Sequence, residues 1–377
     1  MKPSIRRMFI GLGVGLAMLS SIGAASPAFA KNHHVVSSQS LAAVKRAVLQ
    51  MEGPQPKWTG PTTGPKAAKD KFIVYLSGQA TNNLSRAYGV FMAQAAKTIG
   101  WKFKVINATG SPTSWLNALN EAIALKPNGI AMFANAATLQ TPIRTAVARG
   151  IVMIGLHAAA EPGPQPSLHL FTNLESDPAQ IGRAEADYVI AASNGRAKVV
   201  VLTHNEYAIA YVKSQATLHE LKAFPRVKVM SYSNIPASSV SVDLPQLVTS
   251  WVQRFGMPLY ITTVGDSDFD YAIPSLRSLG VAPSQVKLVG SDGTPGAYSR
   301  IKNGQYQVAT VPEPAELQAW QAIDEFNRAF HHMPASNFVQ PVHLVTHANV
   351  NAEGGKQGFF NPANHYEQHY KSIWGVK

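Results

Sequence analysis

Short apolar runs rich in β-branched residues alternate with amphipathic stretches along most of this chain. Stretches such as SRAYGVFMAQAAKTIG repeat apolar residues at spacings of three and four, which predicts helices between the runs. The alternation predicts an α/β fold of parallel sheets with helices on both faces. The runs predicted to be strands are KFIVYLS, WKFKVIN, GIAMFA, IVMIGLH, AKVVVLT, VKVMSYS, PLYITTV, VKLVGS and QVATV.

The predicted sheet region is too long for one ordinary sheet, because it spans roughly 300 residues. Two lobes are therefore expected, with the first change of lobe near the break EPGPQPSLHLFTNLESDPAQIG and a new helix after Asp177. We assign residues 71–176 plus 314–341 to the N-terminal lobe and residues 177–313 plus 342–377 to the C-terminal lobe. The crossings at 171–177 and 311–314 are expected to act as hinges that close on a ligand.

The N-terminus has the layout of a secretory signal. Basic residues precede an apolar stretch that ends in Ala28-Phe29-Ala30, which predicts a signal peptide over residues 1–30, cleavage after Ala30 and a periplasmic protein. Residues 31–70 differ in composition from the rest and are rich in Pro, Gly, Thr and Lys. They are predicted to form a tether or an arm that lies on the surface.

Charge and composition exclude several functional classes. The formal net charge is +12, but only 14% of residues are charged and Lys and Arg are scattered, so no nucleic-acid-binding surface is predicted. The chain has no cysteine, and therefore no disulfide framework or lipid-anchor site. Motifs of nucleophilic enzymes and of nucleotide binding are absent, so we predict neither an enzyme nor a cofactor.

Polar residues follow the carboxyl ends of the predicted strands, where ligands of open parallel sheets bind. They are mainly amides, carboxylates and hydroxyls, a set that suits a ligand with several hydroxyl groups. This set comprises Ser77, Gln79, Asn82, Asn107, Asn135, His157, Asn205, Glu206, Tyr207, Asp266, Asp268 and Asp292.

Five segments carry a resemblance to a known family: AQAAKTIGWKFKVIN, GIVMIGLH, SDPAQIGRAEADYVI, VKLVGSDGTPGAYSRIKNGQYQVAT and PVHLVTHANV, the last expected to be the closing strand. Through them residues 71–351 resemble the periplasmic sugar-binding proteins of bacterial ABC transporters, of the ribose- and galactose-binding type. The resemblance implies a two-lobe type I periplasmic binding protein fold and a monomer that delivers a small sugar-like ligand to an ABC permease. A chemoreceptor is a candidate second partner. The related DNA-binding repressors are disfavoured, because a secreted chain does not meet DNA.

Asp292, in the loop VGSDGTPGAY, is the first site residue that the resemblance implies. In the family this aspartate accepts hydrogen bonds from two sugar hydroxyls, and an ionised carboxylate suits a diol because it only accepts. The alternative is that Asp292 caps the helix starting near Thr294.

Other positions match the family less closely. Leu84 and Ser85 stand where the family has an aromatic pair, and Trp115, Tyr207 or Phe269 could supply stacking instead. Nucleosides, polyols, inositols and small aromatic acids therefore remain alternative ligands. The residues that the resemblance or the strand ends bring to the predicted site besides Asp292 are Asn82, Asn135, His157, Tyr207, Lys213, Asp266, Asp268 and Glu313.

Two histidine pairs make zinc binding a rival hypothesis. HLVTH and HYEQH each place two histidines four residues apart, a spacing that suits one metal ion on a helix. However, HLVTH is predicted to be a strand, where residues four apart are separated by about 13 Å. HYEQH lies in an aromatic-rich tail expected to pack on the second lobe, so we predict no metal site.

Overall fold

The computed structural model describes residues 40–54, 57–353 and 358–376. The predicted signal peptide lies outside this described part of the chain. Within the described part, no helix has both the length and the apolar character needed to cross a membrane.

Strands and helices alternate as the sequence predicts, and all the predicted strand runs form strands. In chain order the strands are β1 (Phe72–Ser77), β2 (Lys102–Asn107), β3 (Gly129–Met132), β4 (Val152–Leu156), β5 (Gly163–Gln165), β6 (Leu170–Leu174), β7 (Lys198–Thr203), β8 (Lys228–Asn234), β9 (Leu259–Thr263), β10 (Val286–Asp292), β11 (Gln307–Pro312) and β12 (Val345–Thr346). The helices are α1 (Leu41–Met51), α2 (Asn83–Thr98), α3 (Pro112–Ala124), α4 (Gln140–Ala148), α5 (Pro178–Ala192), α6 (Ala208–Lys222), α7 (Val240–Phe255), α8 (Phe269–Ser278), α9 (Pro295–Lys302), α10 (Ala315–Phe330) and α11 (Tyr366–Trp374).

Each lobe is built on one six-stranded sheet. The strand order is β2-β1-β3-β4-β6-β5 in the first lobe and β12-β11-β10-β9-β7-β8 in the second. All neighbours pair in parallel except the edge strands β5 and β12, which are antiparallel. The predicted two-lobe α/β fold is therefore confirmed, with an antiparallel edge strand in each sheet that the sequence did not predict.

Burial explains the composition of the strands. Every residue of the central strands β3 and β9 is buried, because helices cover both faces of the sheet, and both sequences are almost continuously apolar or small. The outer strand β2 has exposed lysines on either side of its half-buried Phe103. The parallel strands of each lobe end at one edge of their sheet, and these two edges line the same cleft.

The Pro- and Gly-rich segment predicted as a break contains β5 and β6. Strand β6 extends the first sheet beside β4, and helix α5 then begins at Pro178 as expected. The Asp177 side chain caps that helix by accepting from the backbone N–H of Gln180 at 3.0 Å. The chain thus passes between the sheets directly after β6.

The predicted closing strand PVHLVTHANV is wrong in length, because only Val345–Thr346 pair with β11. Asn349 ends the pairing, since its side chain accepts from the backbone N–H of Thr346 and donates to the carbonyl of Leu344, each at 2.9 Å. These bonds form a turn that prevents a longer strand.

The assignment of the whole tail to the second lobe is wrong for helix α11. Tyr370 and Trp374 are buried in the core of the first lobe, and the Trp374 ring stacks on Trp320 of α10 with centroids 5.4 Å apart. The indole N–H of Trp374 also donates to Asp324 at 2.9 Å. The tail packs here because α10 offers an aromatic surface and a buried acceptor together.

Candidate ligand-binding cleft

A cavity of about 590 Å³, including its open mouth, lies between the two lobes at the carboxyl ends of the strands. The first lobe contributes Gln79, Thr81, Asn82, Phe133 and His157. The polar residues from the second lobe are His204, Tyr207, Lys213, Ser267, Asp268, Tyr271 and Asp292, and Val240 and Val264 are among its apolar residues.

Asp292 ends strand β10 and lines the cavity with Lys213 as its counter-ion. The Lys213 ammonium lies 3.5 Å from a carboxylate oxygen of Asp292 and donates to the Ser291 hydroxyl at 3.4 Å. Burial by itself would lower the pKa of Lys213, but Asp292 and the neighbouring carboxylates raise it, so the side chain is charged. Burial raises the pKa of Asp292 while Lys213 opposes this rise.

The alternative role for Asp292, a helix cap, is taken by another residue. Helix α9 begins at Pro295, and the Thr294 hydroxyl accepts from the backbone N–H of Ala297 at 3.3 Å. Asp292 itself has a φ of 92°, a backbone conformation that turns the chain at the end of the strand. The Asp292 carboxylate is therefore not used as the cap of α9.

A second carboxylate–cation pair lies in the same cavity. The Nε2 atom of His204 is 3.1 Å from one oxygen of Asp268 and 3.2 Å from the other, and the Thr263 hydroxyl also donates to Asp268. The Nδ1 atom of His204 lies 2.8 Å from the carbonyl of Ile235, which can only accept. Burial would lower the pKa of His204, but Asp268 and this carbonyl raise it to about 9, so both ring nitrogens donate at neutral pH.

His157 connects the cavity to a buried layer beneath it. Its Nε2 atom lies 3.4 Å from Glu313 and 3.2 Å from the Tyr88 hydroxyl. Glu313 also accepts from the backbone N–H and hydroxyl of Ser176 and from Gln318. Burial would raise the pKa of Glu313, but His157, Lys213 and Ser176 together hold it well below its usual range. Glu313 thus ties together the two crossings predicted as hinges.

The lobes meet around the mouth of the cavity. The Gln79 side chain donates to the carbonyl of Ala237 at 3.2 Å, and the Asn135 side chain donates to the carbonyl of Glu206 at 2.8 Å. The Tyr207 ring from the second lobe lies 4.8 Å from the ring of Trp115 in the first. These contacts enclose the cavity and shield it from solvent.

Three residues that the sequence proposed for the site do not line the cavity. Asp266 is buried under the loop after β10, where it accepts from the backbone N–H of Gly293 at 2.8 Å and from Thr310 and Gln307 at 2.6 Å each. Asn135 joins the lobe rims, and Glu313 lies below His157. The proposed residues that do line it are Asn82, His157, Tyr207, Lys213, Asp268 and Asp292.

Sequence reasoning missed His204, whose pairing with Asp268 only the fold reveals. The residue stands at the end of β7, beside the predicted candidates Asn205 and Glu206, so the strand-end rule could have included it. Phe133 also lines the cavity and lies 5.2 Å from the His157 ring. Phe133 thus supplies an aromatic face in the first lobe, where Leu84 and Ser85 replace the aromatic pair of the family.

A metal site finds no support in the described residues, where no group of three or more potential ligands is close enough to hold an ion. His343 instead contacts Glu353 at 3.1 Å and stacks on Phe360. His369 stacks on Trp58 with centroids 5.2 Å apart.

Comparison with family models identifies one family, and comparison with solved structures shows the same fold. Residues 73–329 match the model of the periplasmic binding protein domain, whereas a search of the curated proteins finds no match. A sugar ABC transporter protein from Yersinia enterocolitica has 15% identity and a TM-score of 0.69, and the match covers 84% of this chain and 99% of that one.

Two solute-binding proteins of ABC transporters with bound polyols are also similar in structure. The protein from Bacillus halodurans with bound myo-inositol has 16% identity and a TM-score of 0.65, covering 77% of this chain and 98% of that one. The protein from Agrobacterium vitis with bound allitol has 19% identity and a TM-score of 0.65, and the match covers 75% of this chain and 98% of that one.

Proposed function

Because the chain belongs to the periplasmic binding protein family, we propose that it captures a small, uncharged, polyhydroxylated solute between its lobes and delivers it to the permease of an ABC importer. A sugar or a polyol fits this description best. The similar structures with bound myo-inositol and allitol support this ligand class.

The observation that carries the proposal is the pairing of charges in the cleft. Asp292 with Lys213 and Asp268 with His204 place two carboxylates in one cavity, each held by a cation of the same lobe. A carboxylate fixed in this way can accept from two neighbouring hydroxyls of a ligand. A hydroxyl group both donates and accepts hydrogen bonds, and the site offers Lys213 as a donor beside the two carboxylate acceptors.

Charge balance argues against an anionic ligand such as an aromatic acid. Lys213 and His204 in the cavity are matched by Asp292 and Asp268, and His157 contacts Glu313 beneath it, so an added charge would lack a counter-ion in a largely buried site. Burial raises the pKa of the deeper Glu185 to about 8, so this residue is protonated at neutral pH. It therefore does not compete with Asp292 as the counter-ion of Lys213. An uncharged ligand leaves this balance intact.

Apolar contacts complete the site. Phe133 and Tyr207 lie on opposite lobes with ring centroids 5.9 Å apart, and both line the cavity. Such rings suit the C–H faces of a sugar or polyol, which are apolar while the hydroxyl edges are polar. They would equally suit a nucleoside base, which keeps nucleosides as the second candidate.

The remaining parts of the proposal concern location and partners. We place the mature protein in the periplasm after cleavage behind Ala30, where it acts as a monomer without catalytic activity. The permease is the expected partner, and a chemoreceptor or sensor is a candidate second one. The similarity to a structure described as the XylFII-LytSN complex is compatible with such a second partner.

A thermal-shift panel tests the ligand class. We expect a sugar or polyol to raise the melting temperature, since a ligand at a hundred times its dissociation constant adds about 2.7 kcal/mol to the folded state. Nucleosides, aromatic acids and divalent metals are tested in the same plate. A shift from an aromatic acid or a metal, with none from any polyol, would contradict the proposal.

A further inference from the structure

Residues 41–52, which precede the family domain, are anchored to the second lobe. Val44 and Val48 of α1 are buried against α5 in the core of that lobe. The carbonyl of Met51 accepts from the backbone N–H of Leu344 at 3.0 Å, and a carboxylate oxygen of Glu52 accepts from the Thr346 hydroxyl at 2.6 Å. The segment therefore has a fixed end at Glu52.

Only six residues later the same segment is anchored to the first lobe. The Trp58 ring lies 5.0 Å from Phe338, 5.2 Å from His369 and 5.5 Å from Tyr370 by ring centroids. These aromatic contacts belong to the first-lobe core. Residues 31–70 were predicted to form either a tether or an arm that lies on the surface. The packing of Glu52 and of Trp58 favours the arm.

Residues 63–68 strengthen this second anchor through their backbone. Arg328 donates to the carbonyl of Thr63 at 2.7 Å, and Asn327 donates to the carbonyl of Pro65 at 2.8 Å. Asn327 also accepts from the backbone N–H of Ala68 at 2.9 Å. A Cβ at Gly64 would stand only 2.7 Å from Ile373, so glycine permits this close approach.

The C-terminal tail crosses between the lobes with two adjacent aromatic residues. Phe359 packs edge-to-face on Phe91 of the first lobe with centroids 5.9 Å apart. Phe360 is buried in a second-lobe cluster with Tyr298 and stacks on His343 at 5.0 Å. One peptide bond therefore joins side chains that are held by different lobes.

We propose that the anchors at Glu52 and Trp58, which are only six residues apart in the chain, and the pair Phe359–Phe360 together form a hinge brace, two links between the lobes that restrain the opening of the cleft. The brace lies beside residues 338–344, which run from α10 back to the second lobe, because its anchors contact Phe338 and Leu344. This inference rests on the proposed closure of two lobes, but not on which ligand they capture.

Chain geometry limits how far the anchored lobes can separate. Six residue steps span at most about 20 Å when fully extended. Opening that separates the two anchors by more than this span must detach one of them. The brace raises the closed fraction of the ligand-free protein and with it the affinity, because apparent affinity scales with the population of the competent state.

Lengthening the first link tests the brace without touching either anchor. The variant carries ten Gly and Ser residues inserted after Pro54, and the control carries the same insertion after Pro283, in an exposed turn within the second lobe. Longer flexible loops cost little stability, so both variants are expected to fold. Because the chain lacks cysteine, Ala137→Cys and Val242→Cys can carry spin labels on the exposed rims of the two lobes.

The readout is the label distance in the ligand-free protein. We expect a longer-distance population after insertion at Pro54 that is several-fold larger than in the control, and a Phe359→Ala variant should show the same trend. Distance distributions that superimpose on the control for both variants would overturn the brace. Since no ligand is present in this experiment, its failure is distinct from a failure of the thermal-shift panel.

Discussion

Asp292 and Thr294 stand two residues apart in the same loop and have separate tasks. The Thr294 hydroxyl caps α9, whereas the Asp292 carboxylate faces the cavity beside Lys213. This separation at the residue scale makes the two roles testable one at a time. The cap can therefore be removed without touching the carboxylate, whereas removing the carboxylate also takes the counter-ion from the buried Lys213.

Substitution of Asp292 should affect affinity more than any loss of helix capping would explain. Asp292→Ala removes charge-assisted hydrogen bonds worth about 1.5–3 kcal/mol each, so we expect a loss of about a hundredfold in affinity for the panel ligand. Asp292→Asn should lose less, because it keeps one acceptor. Titration calorimetry measures both, and unchanged affinity in both variants would contradict the ligand role.

Thr294→Ala is the matched control for this loop. Removing the cap should lower the free energy of unfolding by about 1 kcal/mol in urea titrations while leaving affinity nearly unchanged. A large affinity loss in Thr294→Ala would mean that the loop, and not the carboxylate, determines binding.

His204 should make the folded state sensitive to alkaline pH. Its pKa is raised to about 9 in the folded protein, above the ordinary value of about 6.5, so its stabilising contribution is complete below pH 6.5 and is lost as the pH rises through 9. Urea unfolding between pH 6 and 10 should show this loss. The His204→Gln variant should lack this part of the pH dependence, and identical profiles would refute the ion pair with Asp268.

At the scale of elements, Asp266 secures the loop between β10 and α9. It accepts from Gly293, Thr310 and Gln307, and Arg300 donates to its carbonyl at 2.9 Å. Asp266 therefore orients the segment that carries Asp292 without lining the cavity. The sequence could not separate Asp266 from Asp268, because both follow the same strand and only the turn between them decides which one faces the ligand.

Asp266→Ala should destabilise the second lobe strongly. The substitution leaves several buried donors without an acceptor, each at a cost of about 1–3 kcal/mol. We expect the midpoint of urea unfolding to fall far more than in Thr294→Ala, which loses only the single cap bond to Ala297. A similar loss of stability in the two variants would contradict this role of Asp266.

The sequence predicted which segments form strands and helices better than it predicted which elements pack against each other. Buried parallel strands such as β3 and β9 have almost continuous runs of apolar or small residues and were recognised, and Asp177 marked the start of α5. Strand β6 was missed because its apolar residues lie among Pro and Gly. The position of α11 could not be read from its own sequence, since the aromatic surface it packs on belongs to α10, a distant part of the chain.

At the scale of the whole molecule, the two sheets and the crossings between them predict closure around a ligand. Small-angle scattering of the wild-type protein should show a smaller radius of gyration with a saturating panel ligand than without it. We expect the brace to make this change smaller than in the variant with the insertion after Pro54. Equal radii with and without ligand in both proteins would contradict hinge closure.

The central claim is that the cleft selects an uncharged polyol, and titration calorimetry with a matched ligand pair tests it most directly. The pair consists of the neutral polyol that gives the largest thermal shift and its carboxylic acid counterpart. We predict one binding site per chain for the neutral ligand and at least about a tenfold weaker binding of the anion, because the balanced charges of the cleft leave it unpaired. Equal or tighter binding of the anion would contradict the account.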